Sequence, residues 1–185
     1  MVKFDLAVIG SGPGGFSATM RAVDFGKSVC LIEAGHLGGT GIMNGALTSK
    51  TMWELSVDYA IAAAVDRGYR ASGLQVDYNH VKKTVITAAK TKQYQMLSQI
   101  ETFTHKNSSP GSITFKKGFA RFLDRNTLEI KGDRETETIK ADYIVIATGS
   151  RPRQIPDLPV DQERIFDSDG LLNLDRFPER MMILG

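Results

Sequence analysis

Residues 4–15 have the sequence Phe4-Asp5-Leu6-Ala7-Val8-Ile9-Gly10-Ser11-Gly12-Pro13-Gly14-Gly15. Its first half, Phe4–Ile9, is a short apolar run of the kind that forms a strand buried in a parallel sheet. The pattern that follows predicts a helix over 14–25, which Gly26 ends, and a second strand over Ser28–Glu33. These elements make one βαβ unit and predict an α/β fold with a parallel sheet.

The glycines between the first strand and the first helix satisfy the pattern G-x-G-x-x-G. Gly10 allows a tight turn, Gly12 lets the backbone approach a pyrophosphate, and Gly15 permits close packing of helix and strand. A phosphate is favoured at the helix N-terminus, where N–H groups and the helix dipole attract anions. Glu33 ends the second strand, about 20 residues further on, where it can accept hydrogen bonds from a ribose. The stretch therefore predicts a dinucleotide site.

The type of dinucleotide stays open at this point. An acidic residue at Glu33 disfavours a ribose 2′-phosphate, so NADP is not expected at this site. NAD and the ADP half of FAD present the same ribose, and the spacing does not separate them.

The middle of the chain predicts two long helices, over 46–66 and 77–106, with a polar break at 107–111 after the second. The pattern then changes to short alternating runs with turn residues between them, which predict a small antiparallel meander. Its expected strands are Ile113–Phe122, Thr127–Lys131 and Glu137–Lys140. Tyr143–Ala147 is expected to be another buried apolar strand.

We expect one α/β domain over residues 1–150, followed by a proline-containing linker. Met181–Gly185 is again an apolar run that ends on glycine, as Phe4–Gly10 does. Residues 151–185 are therefore interpreted as a linker and the first strand of a truncated second nucleotide-binding domain.

The composition is that of an ordinary globular protein, with 42% hydrophobic residues and 24% charged residues. The 23 basic and 21 acidic residues are spread along the chain, so no nucleic-acid or membrane partner is expected. No leader-like segment is visible, and the single cysteine, Cys30, lies in an apolar run. A cytoplasmic location is the prediction.

Three further segments resemble one family, the pyridine nucleotide–disulfide oxidoreductases, which includes dihydrolipoamide dehydrogenase and glutathione reductase. Residues 38–50 resemble the family's redox-active segment G-G-T-C-x-N-x-G-C-x-P-S-K, residues 118–122 resemble its strand beside the adenine, and residues 144–152 resemble its second FAD motif, A-T-G-S-x-P. The resemblance covers essentially the whole chain. It implies a Rossmann-like FAD-binding domain with long helices and a small antiparallel β-meander, and an electron donor, NAD(P)H, bound elsewhere in the protein.

The resemblance also implies a role for each matching residue. The glycine-rich loop would bind the pyrophosphate, Glu33 the adenosine ribose, and Gly39 and Thr40 the phosphates and ribityl chain. Ala120 would meet the adenine through its backbone, and Lys50 would lie near the reactive edge of the flavin. The full set of candidate cofactor-binding residues is Gly10, Gly12, Gly14, Gly15, Glu33, Gly39, Thr40, Lys50, Ala120, Thr148 and Gly149.

The chain departs from the family at the two redox cysteines, whose positions are occupied by Gly41 and Ala46. Disulfide exchange needs an attacking thiolate and a second sulfur, so dithiol chemistry is excluded at this place and no catalytic residue is assigned. The histidines, His36, His80 and His105, have no acidic residue at a spacing that would indicate a catalytic pair, and they are expected at the surface. No metal-ligand pattern is present.

Three functional hypotheses follow. The first is the FAD-binding part of a dihydrolipoamide dehydrogenase-like oxidoreductase that passes electrons from NAD(P)H through flavin to a small diffusible acceptor. The second is a non-catalytic nucleotide-binding module, and the third is an NAD-binding dehydrogenase domain without flavin. The resemblance leaves a homodimer possible for the intact protein.

Overall fold

The computed structural model describes residues 1–68, 70, 72–104 and 110–184. The chain forms two compact units, one of Met1–Met43 and Thr91–Ser150 and one of Asn44–Lys90 and Arg151–Gly185. The sheet and both of its hydrophobic cores lie in the first unit. The expected domain boundary at residue 150 stays a prediction.

The first unit begins with the βαβ arrangement that the glycine-rich stretch predicts. Strand β1 (Val2–Ile9) is followed by helix α1 (Pro13–Asp24) and strand β2 (Ser28–Glu33), and β1 and β2 pair in parallel. Gly26 lies in the left-handed region with φ 72°, and its N–H donates to the Val23 carbonyl at 2.8 Å. This turn ends α1, and a glycine in the left-handed conformation is a common helix terminator.

The remaining elements complete a six-stranded mixed sheet in the order β3-β2-β1-β6-β5-β4. Its further strands are β3 (Ser112–Lys117), β4 (Phe119–Phe122), β5 (Thr127–Lys131) and β6 (Thr136–Ile146). Strands β3, β2, β1 and β6 are parallel, whereas β5 is antiparallel to both of its neighbours. The prediction of an α/β fold with a parallel sheet and a small antiparallel meander is confirmed.

The helices are α2 (Gly39–Met43), α3 (Ala46–Ala63) and α4 (Tyr78–Thr102), with short 3₁₀ turns at Val65–Arg67 and Leu171–Asn173. The two predicted long helices are present but shorter than expected. The predicted end of α4 at residue 106 and most of the polar break at 107–111 lie outside the described residues. None of the described helices is both long and apolar enough to cross a membrane.

The expected antiparallel strand Ile113–Phe122 is wrong, because the structure divides it at Gly118. Ser112–Lys117 pairs in parallel with β2, and only Phe119–Phe122 joins the antiparallel meander. The Gly118 N–H donates to the Glu33 carbonyl at 2.9 Å, and a Cβ at this glycine would lie 2.8 Å from the Lys131 carbonyl oxygen. The chain changes strand partner where only glycine fits.

The predicted strand over Tyr143–Ala147 is present through Ile146, but the expectation that it is buried is wrong. The segment continues the strand that begins at Thr136, and Tyr143 and Ile146 are 76% and 66% exposed. The first part of β6 pairs with both β1 and β5, whereas Tyr143–Ile146 pairs with β1 alone. Residues 181–184 have no strand partner and are largely exposed, so their predicted role in a second nucleotide-binding domain stays a prediction.

Two hydrophobic cores lie on opposite faces of the parallel strands. On one face, Val8, Val29 and Leu31 pack with Val23 of α1 and with Met96 and Ile100 of α4. On the other face, the meander covers the sheet through the following buried side chains: Phe4, Ala7, Cys30, Ile32, Leu128, Ile130, Ile139 and Ala141. Because helices and meander cover both faces, the carboxyl ends of β1, β2 and β6 are held in fixed register.

Cys30 lies at the centre of the meander-covered core with no exposed surface. Burial raises the pKa of its thiol to about 12. Because the pKa in the folded chain lies above the ordinary thiol value of 9.0, ionisation favours the unfolded chain, and this contribution to stability is lost between about pH 9 and 12. We expect a thiol reagent at pH 8 to modify no cysteine in the native chain and one cysteine in the denatured chain, counted by mass spectrometry. Fast labelling of the native chain would contradict this packing.

Candidate functional site

The carboxyl end of β1 turns sharply at Gly10, which has a φ of +99°. The Gly10 N–H donates to the Ile32 carbonyl at 2.8 Å, and the Ala147 N–H donates to the Ile9 carbonyl at 2.8 Å. A Cβ on Gly10 would collide with the Ala147 carbonyl oxygen and would lie 3.3 Å from the Thr148 Cα. This position therefore needs glycine for two reasons, its left-handed conformation and the closeness of the neighbouring strand end.

Gly15 is buried on the first turn of α1 and packs against the backbone turn at Gly10 from the helix side. A Cβ there would collide with the Gly10 carbonyl oxygen and lie 3.1 Å from the Ala147 Cβ. The Thr19 hydroxyl donates to the Gly15 carbonyl at 2.9 Å, which fixes the turn from within the helix. Gly15 thus allows the close packing of helix and strand that the sequence predicts.

Gly12 and Gly14 differ from these two because a Cβ at either position would meet no atom within 4 Å. Gly12 is the N-cap of α1, no side chain caps the helix, and Pro13 begins it with a residue that has no N–H. The Phe16 N–H donates to the Gly12 carbonyl at 2.9 Å. The first N–H groups of a helix have no partner within it, and with open space before them they suit a phosphate. This arrangement fits the pyrophosphate of a dinucleotide.

Glu33 is buried at the carboxyl end of β2, and both of its carboxylate oxygens accept hydrogen bonds. Oε2 accepts from the Ser11 N–H at 2.7 Å and from the Ser11 hydroxyl at 2.5 Å, and Oε1 accepts from the Gly35 N–H at 2.6 Å. An ionised carboxylate offers about four acceptor sites, so capacity for a ligand hydroxyl remains. The side chain is held beside the glycine-rich loop, as a ribose-binding residue requires.

The second glycine-rich segment also reaches the phosphate loop. The Gly38 N–H donates to the Ser11 carbonyl at 3.1 Å, and a Cβ on Gly39 would lie 3.2 Å from the Gly12 Cα. From α4, the Gln93 Nε2 donates to the Leu37 carbonyl at 3.1 Å and holds the segment in place. Gly39 has a φ of +54°, and Thr40 beside it is exposed.

The end of β6 lies next to the same loop. The backbone of Ala147 and Thr148 approaches Gly10 closely, Thr148 is exposed, and Gly149 has a φ of +73°. Ala120 is half-buried on β4 against the meander-covered core, two residues after the point where Gly118 bonds to Glu33. The structure thus brings the glycine-rich loop, Glu33, Gly39, Thr40, Thr148 and Gly149 together beyond the carboxyl ends of the parallel strands. Their role in binding a cofactor stays a prediction.

The positions of the family's redox cysteines fall in different units. Gly41 lies on α2, where a Cβ would be 2.6 Å from the Pro13 Cγ. Ala46 and Lys50 lie on the first turns of α3 in the second unit, and both are exposed. The predicted place of Lys50 near the flavin stays a prediction.

Two residues of this arrangement were not found by sequence reasoning. Ser11 occupies an unspecified position of the glycine motif. The one sequence signal for its role is a hydroxyl group in a loop that is expected to approach Glu33. Gln93 lies on a helix far along the chain, and no local pattern marks it. His36 and His80 are exposed, as expected, and His105 lies outside the described residues. Among the described side chains, no group of three or more His, Cys, Asp or Glu residues could hold a metal ion.

The fold, with its glycine-rich turn after β1 and the buried Glu33 after β2, is of the dinucleotide-binding α/β type. The pyridine nucleotide-disulphide oxidoreductase family matches residues 4–185, and the chain belongs to that family. This confirms the resemblance drawn from the four motifs.

Two curated relatives illustrate the similarity. The mitochondrial dihydrolipoyl dehydrogenase of Schizosaccharomyces pombe is 34% identical over 99% of this chain, and the soluble pyridine nucleotide transhydrogenase of Mycobacterium bovis is 35% identical over 100% of it. The chain spans 35% and 39% of the length of these two proteins.

Solved structures show the same fold. LpdA of Mycobacterium tuberculosis superposes with a TM-score of 0.79 at 20% identity, over 95% of this chain and 38% of that one. The HOCl-induced flavoprotein disulfide reductase RclA of Escherichia coli gives a TM-score of 0.76 at 21% identity, over 94% of this chain and 35% of that one.

Proposed function

We propose that the chain is the FAD-binding part of a flavoprotein oxidoreductase that takes electrons from NAD(P)H and delivers them to a small diffusible acceptor. The observation that carries the proposal is the pair of open glycines, Gly12 and Gly14, at an uncapped helix N-terminus beside the buried carboxylate of Glu33. An anion site next to a diol acceptor is what the ADP half of FAD requires.

The chain's own residues bind and orient the cofactor in this proposal. The N–H groups at the start of α1 hold the pyrophosphate, and Glu33 accepts hydrogen bonds from the adenosine ribose. Gly39, Thr40, Thr148 and Gly149 form the walls for the phosphates and the ribityl chain. The chemistry that FAD supplies when bound is hydride acceptance and electron donation.

The acceptor cannot be a disulfide reduced by the family's dithiol route, because Gly41 and Ala46 carry no sulfur and the one cysteine, Cys30, is buried. In this proposal the small side chain of Ala46 lies beside the flavin ring and leaves room for a quinone, oxygen or a second nicotinamide. The similarity to a soluble pyridine nucleotide transhydrogenase favours the nicotinamide among them. A cytoplasmic location and a homodimer belong to the same proposal.

The test is a comparison of acceptors for the protein that carries this chain. We expect NAD(P)H oxidation with a benzoquinone or with thionicotinamide adenine dinucleotide, and no turnover with lipoamide or glutathione disulfide, measured by absorbance at 340 nm or at the acceptor's own band. Rapid reduction of lipoamide would contradict the proposal. Bound FAD without turnover of any acceptor would instead support a non-catalytic nucleotide-binding module.

A further inference from the structure

Ser11 is fully buried, and it makes two hydrogen bonds to one oxygen of the Glu33 carboxylate. Its hydroxyl and its N–H both donate to Oε2, while its carbonyl accepts from Gly38. We propose that Ser11 is a positioning residue, which fixes the Glu33 carboxylate for the adenosine ribose and so sets the selectivity of the nucleotide site. The inference rests on the proposed function, because it concerns the same site.

The hydrogen bonds restrict the carboxylate at both oxygens. Oε2 is held by Ser11, and Oε1 is held by the Gly35 N–H at 2.6 Å. Hydrogen bonds to a charged acceptor are about twice as strong as neutral ones. A glutamate with three such bonds does not need to lose side-chain freedom when a ribose binds, and ordering a free glutamate side chain would cost affinity. The Ser11 hydroxyl thereby favours ribose binding without touching the ligand.

The same arrangement fixes a negative charge where a ribose 2′-phosphate would lie. A carboxylate held in a buried position cannot turn away from a second anion, so repulsion is retained in full. Removing the Ser11 hydroxyl leaves one N–H on each carboxylate oxygen, so that two hydrogen bonds hold the carboxylate in place of three. Ser11 therefore contributes to two preferences, for a free ribose diol and against a 2′-phosphate.

The test compares ADP with 2′,3′-dideoxy-ADP, which lacks both ribose hydroxyls and therefore the one that Glu33 would bind, by calorimetry on the full chain. Ser11→Ala should weaken ADP binding about tenfold, the effect of losing one hydrogen bond to a charged group. Binding of 2′,3′-dideoxy-ADP should change less than about twofold, because this ligand has no ribose hydroxyl that could bond to the carboxylate. In a Glu33→Gln background, Ser11→Ala should no longer change the ratio of the two affinities.

Thr19→Val is the matched control, because Thr19 is an equally buried hydroxyl that bonds to the Gly15 carbonyl and not to Glu33. It should alter both affinities by the same factor. If Ser11→Ala weakens ADP and 2′,3′-dideoxy-ADP equally, as a merely structural residue would, the positioning role is wrong while the proposed function stands. If the wild-type chain binds neither FAD nor ADP, the proposed function is wrong and the role of Ser11 is wrong with it.

Discussion

Gly15→Ala should lower the free energy of unfolding by about 3 kcal/mol, the upper range for an added methyl group in a packed region. The added Cβ would collide with the Gly10 carbonyl oxygen and press on the Ala147 Cβ. Both neighbours are parts of paired strand ends, so neither can move without breaking hydrogen bonds to Ile9 or Ile32. Urea unfolding followed by far-ultraviolet circular dichroism measures the effect.

Gly14→Ala is the matched control at the preceding residue. Gly14 is exposed in the first turn of α1, and a Cβ there meets no atom within 4 Å. Replacing glycine by alanine at an exposed helical position should stabilise the chain by about 0.5 to 1 kcal/mol. Equal urea midpoints for wild type and Gly15→Ala, or an equal loss in both variants, would show that α1 does not pack on β1 as described.

Gly12→Val should abolish measurable FAD binding and leave the fold intact. The backbone at Gly12 has φ −63° and ψ −178°, an extended conformation that any residue adopts, and the Cβ would point into open space. In the proposed complex that space holds the pyrophosphate, so the branched side chain excludes it. We expect affinity to fall at least about a hundredfold, which corresponds to the loss of about 3 kcal/mol of binding free energy.

The series glycine, alanine, valine at position 12 separates this effect from a loss of stability. FAD affinity should fall stepwise with side-chain size, whereas the free energy of unfolding should change by no more than about 1 kcal/mol, the cost of a poor N-cap residue. Full FAD affinity in Gly12→Val, measured by quenching of flavin fluorescence, would place the pyrophosphate elsewhere.

The local parts of the fold could be predicted from the sequence because they depend on near neighbours. The apolar run at Phe4–Ile9 and the turn at Gly10 specify β1, and the same holds for α1 and β2. Strand partners are a different matter, since pairing joins residues far apart in the chain. Nothing local shows that Ser112–Lys117 pairs with β2, or that β6 continues through Asp142.

In the site, too, features that depend on near neighbours could be predicted, and features that depend on residues far apart in the chain could not. Glycines that face a carbonyl oxygen and glycines that face open space have the same letter in the motif, so the sequence could not separate Gly10 and Gly15 from Gly12 and Gly14. Glu33 was predicted correctly at the end of β2, but its hydrogen bonds to Ser11 and Gly35 depend on how two loops meet. The absence of redox sulfur was visible in the sequence from the start, at Gly41 and Ala46.

The central claim is that this chain binds FAD, and a titration of the purified 185-residue chain with FAD tests it most directly. We predict saturable quenching of flavin fluorescence, a perturbed visible absorption band that stays with the protein through gel filtration, and competition by ADP. Gly12→Val should show none of these signals. A wild-type chain that leaves the FAD spectrum unchanged, and that is stabilised by NAD instead, would contradict the claim.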